Sequence, residues 1–211
     1  MTEKEKLLNF IEANDMQKKG VYTFKAKPAE HGTVSGYFVI YNITDRRGDI
    51  CEKGFLSDSI LNRARTGHMF PLIYNDDFEQ IIGGVTKIEE KSAGLKMTAM
   101  YVNTPRAQEI RQLVQKGILY QLSFSYIVKK YKHNQEKGRR LIKCDLCAIS
   151  IAPAPQQELA LITSEKANYS QQKIKMLDYI KKIKMLDYIE KRKRGLATLY
   201  NNSPCKELLM Y

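Results

Sequence analysis

The 211-residue chain lacks the short motifs that hold common cofactors. It contains no phosphate-binding P-loop, no glycine-rich dinucleotide fingerprint and no cluster of side chains at metal-ligand spacing. No apolar run approaches the roughly 18 residues of a membrane span, and the first ten residues do not resemble a signal peptide. We therefore expect a soluble protein that uses no cofactor or metal and contacts no membrane.

Cysteine and histidine are scarce, with four and three residues respectively. Cys144 and Cys147 form a C-x-x-C pair, but a zinc site needs convergent thiolates and usually a second such pair. Positions three apart on a strand face opposite sides, so these two thiols are expected to diverge. With no secretory signal, the sequence predicts four reduced thiols in a cytoplasm.

Charge is unevenly distributed along the chain, whose formal net charge is +12. Residues 165–211 hold eleven Lys or Arg against five Asp or Glu, a net charge of +6. We predict three segments: an N-terminal helical extension at 1–19, a compact domain at 20–164 and a basic, helical or loosely packed tail at 165–211. A solvated charged helix is the simpler interpretation of the tail, and nucleic-acid contact is the alternative.

The tail repeats one eight-residue run, Lys-Ile-Lys-Met-Leu-Asp-Tyr-Ile, at 173–180 and again at 182–189. The spacing of nine residues is two and a half helical turns. The second copy is therefore rotated by about half a circle, and the apolar residues surround the helix. Either the helix contacts partners on two sides or the duplication is tolerated in a loosely packed region. We favour the second, because a basic run at 191–194 follows at once.

A helix followed by a serine-bearing strand is the most informative local pattern. Thr104 suits the N-cap, Pro105 the first helical position and Gly117 the left-handed residue after the helix. The next residues are rich in aromatic and β-branched types, and their two-residue period places Ser123 on the face opposite Leu122. A strand serine is ordinarily structural or solvated, so this pattern alone does not indicate catalysis.

Five blocks of the chain follow one another in a recognisable order. They are Gly36–Phe38 leading to Asp45, Gly48, Asp49, Gly54 and Phe55; Phe70–Asp77; Ile81–Val85; Leu122–Tyr126; and Leu141–Ala154. In this order they resemble the prohead proteases of tailed bacteriophages, serine endopeptidases whose β-barrel fold is shared with the herpesvirus assemblins. The resemblance covers roughly residues 20–164.

The resemblance implies three site positions. Ser123 stands at the family's nucleophile in a Leu-Ser-aliphatic-Gly-aromatic strand, although Phe124 and Ser125 replace the aliphatic residue and the glycine. The family's histidine, in a pattern like Leu-Trp-Asn-His-Asp, is replaced by Asp76. The family's glutamate, in an Asp-Leu-x-Glu-aliphatic-Ser strand, is replaced by Ala148.

The change at the histidine position has the larger chemical effect. A serine hydroxyl needs a base that accepts its proton near neutral pH and returns it to the leaving amine. Imidazole, with an unperturbed pKa of about 6.5, meets this need, whereas an ordinary aspartate carboxyl at about 3.9 does not. Loss of the base from a serine protease costs on the order of a millionfold in turnover. We expect weak or no proteolysis through Ser123.

Two replacements for the missing base are considered. The first is a histidine. His31 is predicted in a turn and His133 in a loop, and His68 lies eight residues before Asp76, about 26 Å away along an extended chain. All three are expected at the surface. An acid dyad of Asp76 and Asp77 is the second alternative. Adjacent residues of a strand face opposite ways, which argues against it.

The expected domain is an α+β fold with a mixed, mainly antiparallel β-barrel or strongly curved sheet and peripheral helices. A turn at 91–94 predicts a hairpin, and residues 156–163 are expected to close the domain as a short strand or coil. The predicted elements are an N-terminal helix at 3–16, helices at 56–64 and 105–116, and strands at 33–41, 70–74, 81–89, 95–101, 119–131 and 140–151.

Three functions from different classes follow. The first is a prohead-protease-like protein of phage or prophage capsid assembly with weak or no activity, acting as a scaffold or shell-binding module. The second is an active prohead endopeptidase that cleaves scaffold and capsid proteins through Ser123. The third is a basic nucleic-acid-binding module. The resemblance implies major capsid and scaffold proteins as partners and is compatible with self-association. It also implies a location in the host bacterial cytoplasm, within or on the procapsid.

Overall fold

A computed structural model describes residues 21–24, 31–133, 138–163, 178–183, 185–186 and 188–190. The helices with described bounds are α1 (Ser57–Thr66) and α2 (Pro105–Gln115). The described tail residues 178–183, 185–186 and 188–190 are also helical. The strands are β1 (Val21–Thr23), β2 (Thr33–Ile40), β3 (Ile50–Cys51), β4 (Pro71–Tyr74), β5 (Asp77–Lys91), β6 (Gly94–Tyr101), β7 (Leu122–His133) and β8 (Arg139–Ile151). The predicted N-terminal helix at 3–16 lies outside the described residues.

The strands form one mixed sheet in which most neighbours run antiparallel. Its order is β2-β6-β5-β4-β8-β3, while β1 pairs with β5 and β7 pairs with β8. Only the β3–β8 and β4–β8 pairings of the described strands are parallel. The predicted α+β class with a mainly antiparallel sheet and peripheral helices is confirmed.

The strand ladders do not close into a full barrel, and a short segment lies between the two ends of the sheet. Isolated bridges join Gly36 of β2 to Ile162 and Gln121, just before β7, to Leu161. Two backbone hydrogen bonds reinforce these bridges: the Tyr37 amide donates to the Leu161 carbonyl at 3.0 Å, and the Leu122 amide donates to the Ala160 carbonyl at 2.8 Å. We call residues 160–162 the seam segment.

Local sequence signals place the two helices. In α2 the Thr104 hydroxyl accepts a hydrogen bond from the Ala107 amide, Pro105 is in the first turn, and Gly117 follows with a φ of +74°. Ile60 of α1 and Ile110 of α2 are wholly buried in the core. No helix among the described residues is long and apolar enough to cross a membrane.

Several boundaries differ from the predicted ones. β5 begins at Asp77, before the predicted start at 81, because it pairs with β4 directly after a two-residue turn. β7 begins at Leu122, where β8 becomes its partner, and continues to His133. His133 therefore lies in a strand, and its predicted position in a loop is wrong. The short strands β1 and β3 carry no sequence period that would have predicted them.

Candidate functional site

Ser123 lies near the start of β7, directly opposite Ser150 of β8. The neighbouring ring of Phe124 packs edge-on against the rings of Phe38 and Phe55, and Leu122 is wholly buried. Ser123 keeps 8% of its surface exposed. Its hydroxyl is therefore enclosed by protein but not sealed from solvent.

Asp76 belongs to the tight turn between β4 and β5. Asn75 and Asp76 have positive φ angles of 54° and 58°, the backbone of a type I′ hairpin turn. The Asp76 amide donates a hydrogen bond to the Ser150 hydroxyl at 2.9 Å. Because Ser150 is the cross-strand partner of Ser123, this bond fixes the turn beside the serine that the sequence singled out.

Ala148 lies opposite Ser125 on β8, two residues before Ser150. Since side chains alternate along a strand, Ala148 shares a face of the sheet with Ser123 and Ser150. It is wholly buried and does not line the cavity described next. The structure therefore brings Ser123 and Asp76 into one cavity and leaves Ala148 outside its lining.

A cavity of about 390 Å³ opens at Ser123 and Asp76. Its walls combine the start of β7 with the 45–47 loop, the β4–β5 turn and the start of β8. The lining residues are Phe38, Asp45, Arg47, Asp76, Leu122, Ser123, Phe124, Ser125, Tyr126, Val128, Arg139, Gln156 and Gln157. All three histidines lie within the described residues, and none lines this cavity.

The histidines and Asp77 are placed elsewhere. His68 is exposed before β4, His31 lies in a turn before β2, and the His133 ring packs edge-on against Tyr131 at the far end of β7. Asp77 accepts hydrogen bonds from the Glu79 amide and the Gln80 side chain. Asp77 is also absent from the cavity wall, so an acid dyad with Asp76 finds no support.

An ion pair holds one wall of the cavity in place. Asp49, 2% exposed, accepts hydrogen bonds from the Arg139 amide at 2.9 Å and from its Nε at 3.1 Å. Burial opposes ionisation of this carboxyl, but the hydrogen bonds and charge of Arg139 outweigh it and hold the pKa of Asp49 below its usual value. Asp49 is therefore a charged anchor for the start of β8.

Asp45 is a second carboxylate on the cavity wall. Its Oδ1 accepts hydrogen bonds from the amides of Arg47 and Asp49, at 2.8 and 2.9 Å. Burial nevertheless raises the pKa of Asp45 above its ordinary value. Sequence reasoning placed Asp45 and Asp49 in one block of the family pattern but gave neither a role. The role of Asp49 depends on its contact with Arg139, 90 residues away, which spacing along the chain does not reveal.

The three cysteines among the described residues form no metal site. Cys144 is buried and Cys147 is half-buried on β8. Burial raises the pKa of the Cys144 thiol to about 11. Within the part of the chain that the structure describes, no three His, Cys, Asp or Glu side chains converge on a point that could hold a metal ion.

The chain matches a known protein family. A family model described as caudovirus prohead serine protease matches residues 21–175. No curated protein sequence matches the chain at a significant level.

Solved structures give remote likenesses. The capsid assembly protease of bacteriophage T4 shares 12% identity at a TM-score of 0.45, over 55% of this chain and 77% of that one. The KSHV protease, solved with a hexapeptide phosphonate inhibitor, shares 12% identity at 0.38, over 62% and 63%. The varicella-zoster virus protease shares 11% at 0.37, over 71% and 76%. At this similarity no residue role is transferred from them.

Proposed function

Because the chain belongs to the caudovirus prohead serine protease family, we propose that it serves phage capsid assembly with weak or no proteolytic activity, as a scaffold or shell-binding protein. Its partners are the major capsid and scaffold proteins, and it acts within or on the procapsid. The observation that carries the proposal is the cavity around Ser123, whose described walls contain no imidazole.

The groups that do line the cavity are poor substitutes for an imidazole. Arg47 and Arg139 carry guanidinium groups, which donate hydrogen bonds and accept none, and the amides of Gln156 and Gln157 are not bases. Burial raises the pKa of the Tyr126 hydroxyl far above neutrality, so it does not ionise there. The carboxylates of Asp45 and Asp76 remain. An aspartate carboxyl does not ordinarily have the pKa near 7 that proton transfer from serine needs.

The residue at position 148 supports the same proposal. Ala148 is wholly buried, and a carboxylate at such a position is costly unless an adjacent cation or donor compensates it. In a triad the imidazole provides that partner. With an aspartate at position 76, a carboxylate at position 148 would have no imidazole to compensate its charge.

A binding role needs a surface that captures extended chains, and β7 offers one. From Ser123 onward, β7 has β8 as its strand partner on one side and no partner on the other among the described residues. Such an edge can accept an extended peptide as an additional strand. Capsid and scaffold termini bound beside an idle hydroxyl would be retained and not cut.

The second candidate function is an active endopeptidase, and Asp45 is the observation that favours it. Burial raises the pKa of this cavity carboxyl toward the range in which a base works. If Asp45 or Asp76 accepts the proton of Ser123, the protein cleaves its partners as other family members do.

Labelling with a fluorophosphonate separates the two candidates. The probe reacts with an activated serine hydroxyl, so we expect the wild-type protein to be labelled no faster than Ser123→Ala. Labelling of the wild type that Ser123→Ala abolishes would establish the active protease instead.

Co-expression with the phage major capsid protein tests the partner. We expect the protein to sediment with assembled shells, and Ser123→Ala to sediment equally, since no cleavage is needed. A protein that remains in the soluble fraction while shells assemble would contradict a shell-binding role. Binding to DNA without shells would favour the nucleic-acid-binding alternative.

A further inference from the structure

The end of the first repeat copy is docked on the domain. Ile180 is 7% exposed and packs with the buried side chains of Ala93 and Leu161. The Tyr179 hydroxyl donates a hydrogen bond to the Tyr41 carbonyl at 2.8 Å. We call the receiving surface the tail-docking patch; it consists of Ala93 and Leu161, flanked by Tyr37, Tyr120 and Leu159.

The end of the second copy has the same side chains and is more exposed than the end of the first. Residues 188–189 repeat the Tyr-Ile pair of 179–180. Tyr188 is 58% exposed and Ile189 is 41% exposed, and the preceding Met185 and Leu186 are 61% and 53% exposed. The chain therefore carries two copies of one docking motif and one patch that receives it.

We propose that the tail-docking patch is a binding site for this motif and that either copy occupies it, in two registers nine residues apart. Identical side chains make identical contacts, so Tyr188 and Ile189 fit where Tyr179 and Ile180 now lie. The alternative occupant is this chain's own second copy. Docking within one chain is favoured over docking on a second molecule because the tether keeps the motif at high effective concentration.

The second register leaves more residues between the domain and the docked segment than the first register does. Fourteen residues, 164–177, separate Thr163 from the first docked segment, and 23 residues, 164–186, precede the equivalent point of the second copy. The shift lengthens the tether and does not stretch it. Loop-closure entropy disfavours the longer tether by only about twofold.

One residue beyond the end of the first copy makes the first register the preferred one. Ile183, three residues after Ile180, is partly buried against the patch. The equivalent position after the second copy is Arg192. Losing the partial burial of an isoleucine weakens docking by about fivefold to tenfold. The loss of this contact and the longer tether together favour the first register by about tenfold to twentyfold.

A single tryptophan reports which copy is docked. The chain contains no tryptophan, so Tyr188→Trp gives the only indole signal, and its N–H can donate a hydrogen bond as the phenol does. In this reporter protein we expect strong acrylamide quenching. Adding Ile180→Asp expels the first copy, and quenching should fall severalfold as the second copy docks.

Arg192→Ile provides a test that leaves the first copy intact. It restores the missing apolar contact, so only the twofold tether effect remains and about a third of the molecules should protect the indole. The matched control adds Ile189→Asp to the Ile180→Asp reporter and should restore full quenching. Unchanged quenching in Arg192→Ile overturns the proposal, as does protection that appears only at raised protein concentration, which would mean docking on a second molecule.

Discussion

Position 76 lies in a two-residue turn whose backbone suits few residue types. Its φ of 58° is in the left-handed region, where asparagine, aspartate and histidine are enriched among non-glycine residues. Asp76 is exposed and lines the cavity of Ser123, while the neighbouring Asn75, with a φ of 54°, does not line it. A histidine at either position is therefore tolerated by the fold, but only one of the two faces the cavity.

Asp76→His is expected to activate Ser123. The imidazole supplies a proton acceptor with an ordinary pKa of about 6.5, so fluorophosphonate labelling should accelerate at least about tenfold and rise with pH through that value. The measurement is the labelling rate at saturating probe between pH 5 and 8.

Asn75→His is the matched control, since it adds the same side chain one residue away in the same turn. It should leave the rate at the wild-type level, and Ser123→Ala should abolish the gain in Asp76→His. Equal acceleration in both histidine variants would show that the geometry assigned to the turn is wrong.

At the scale of elements, two adjacent glycines of β5 face very different surroundings. A Cβ on Gly83 would lie 2.1 Å from the backbone oxygen of Met100, whereas a Cβ on Gly84 would meet only the side chain of Met69, at 3.0 Å. A backbone oxygen held in a sheet cannot move aside, but the end of a methionine side chain can. The close approach therefore belongs to Gly83.

Gly83→Ala should destabilise the protein by about 3 kcal/mol or more, because the β5–β6 ladder has to separate at that point. Gly84→Ala should change stability by less than about 1 kcal/mol, since Met69 moves and alanine restricts the unfolded chain. Urea denaturation followed by circular dichroism measures both. Equal losses in the two variants would contradict the assigned packing.

Elements with strong local signals were predicted from the sequence, and contacts between distant elements were not. The N-cap at Thr104 and the hairpin turn between β5 and β6 depend on a few adjacent residues, and both are confirmed. The pairing of Ser123 with Ser150 and the bond from Asp76 to Ser150 join residues far apart in sequence. Only the family resemblance predicted that these segments meet, because local propensity carries no information on strand order.

Across the whole molecule, two ion pairs join the 49–52 region to the start of β8. Arg139 pairs with the buried Asp49, and Arg140 pairs with Glu52 through Nε and Oε1 at 2.8 Å. The Glu52 and Arg140 side chains are 36% and 39% exposed. Solvent screens the second pair, so only the first is expected to contribute measurably to global stability.

Asp49→Asn should lower the free energy of unfolding by about 2 kcal/mol at neutral pH, less than for a fully buried pair because Arg139 retains contact with water. The folded pKa of Asp49 lies below its unfolded value, so this stabilisation is present above about pH 4 and is lost as the pH falls through the folded pKa.

Chemical denaturation between pH 2.5 and 7 measures the difference between the wild type and Asp49→Asn, which should shrink toward the acid end. The neighbouring variant Glu52→Gln should cost less than about 1 kcal/mol throughout. A constant difference across the whole range would show that Asp49 acts through packing and not through its charge.

The seam segment determines how the domain responds to mechanical load. Residues 160–162 join the two ends of the sheet through isolated bridges and stand directly before the chain that leads into the tail. Once the docked residues Tyr179 and Ile180 are released, a pull on the C-terminus reaches these few hydrogen bonds and breaks them one after another, whereas the β7–β8 ladder, eleven paired positions long, shares its load. Tension applied through the tail would part the sheet at β2 and β7, beside Ser123, while the remaining strands stay paired.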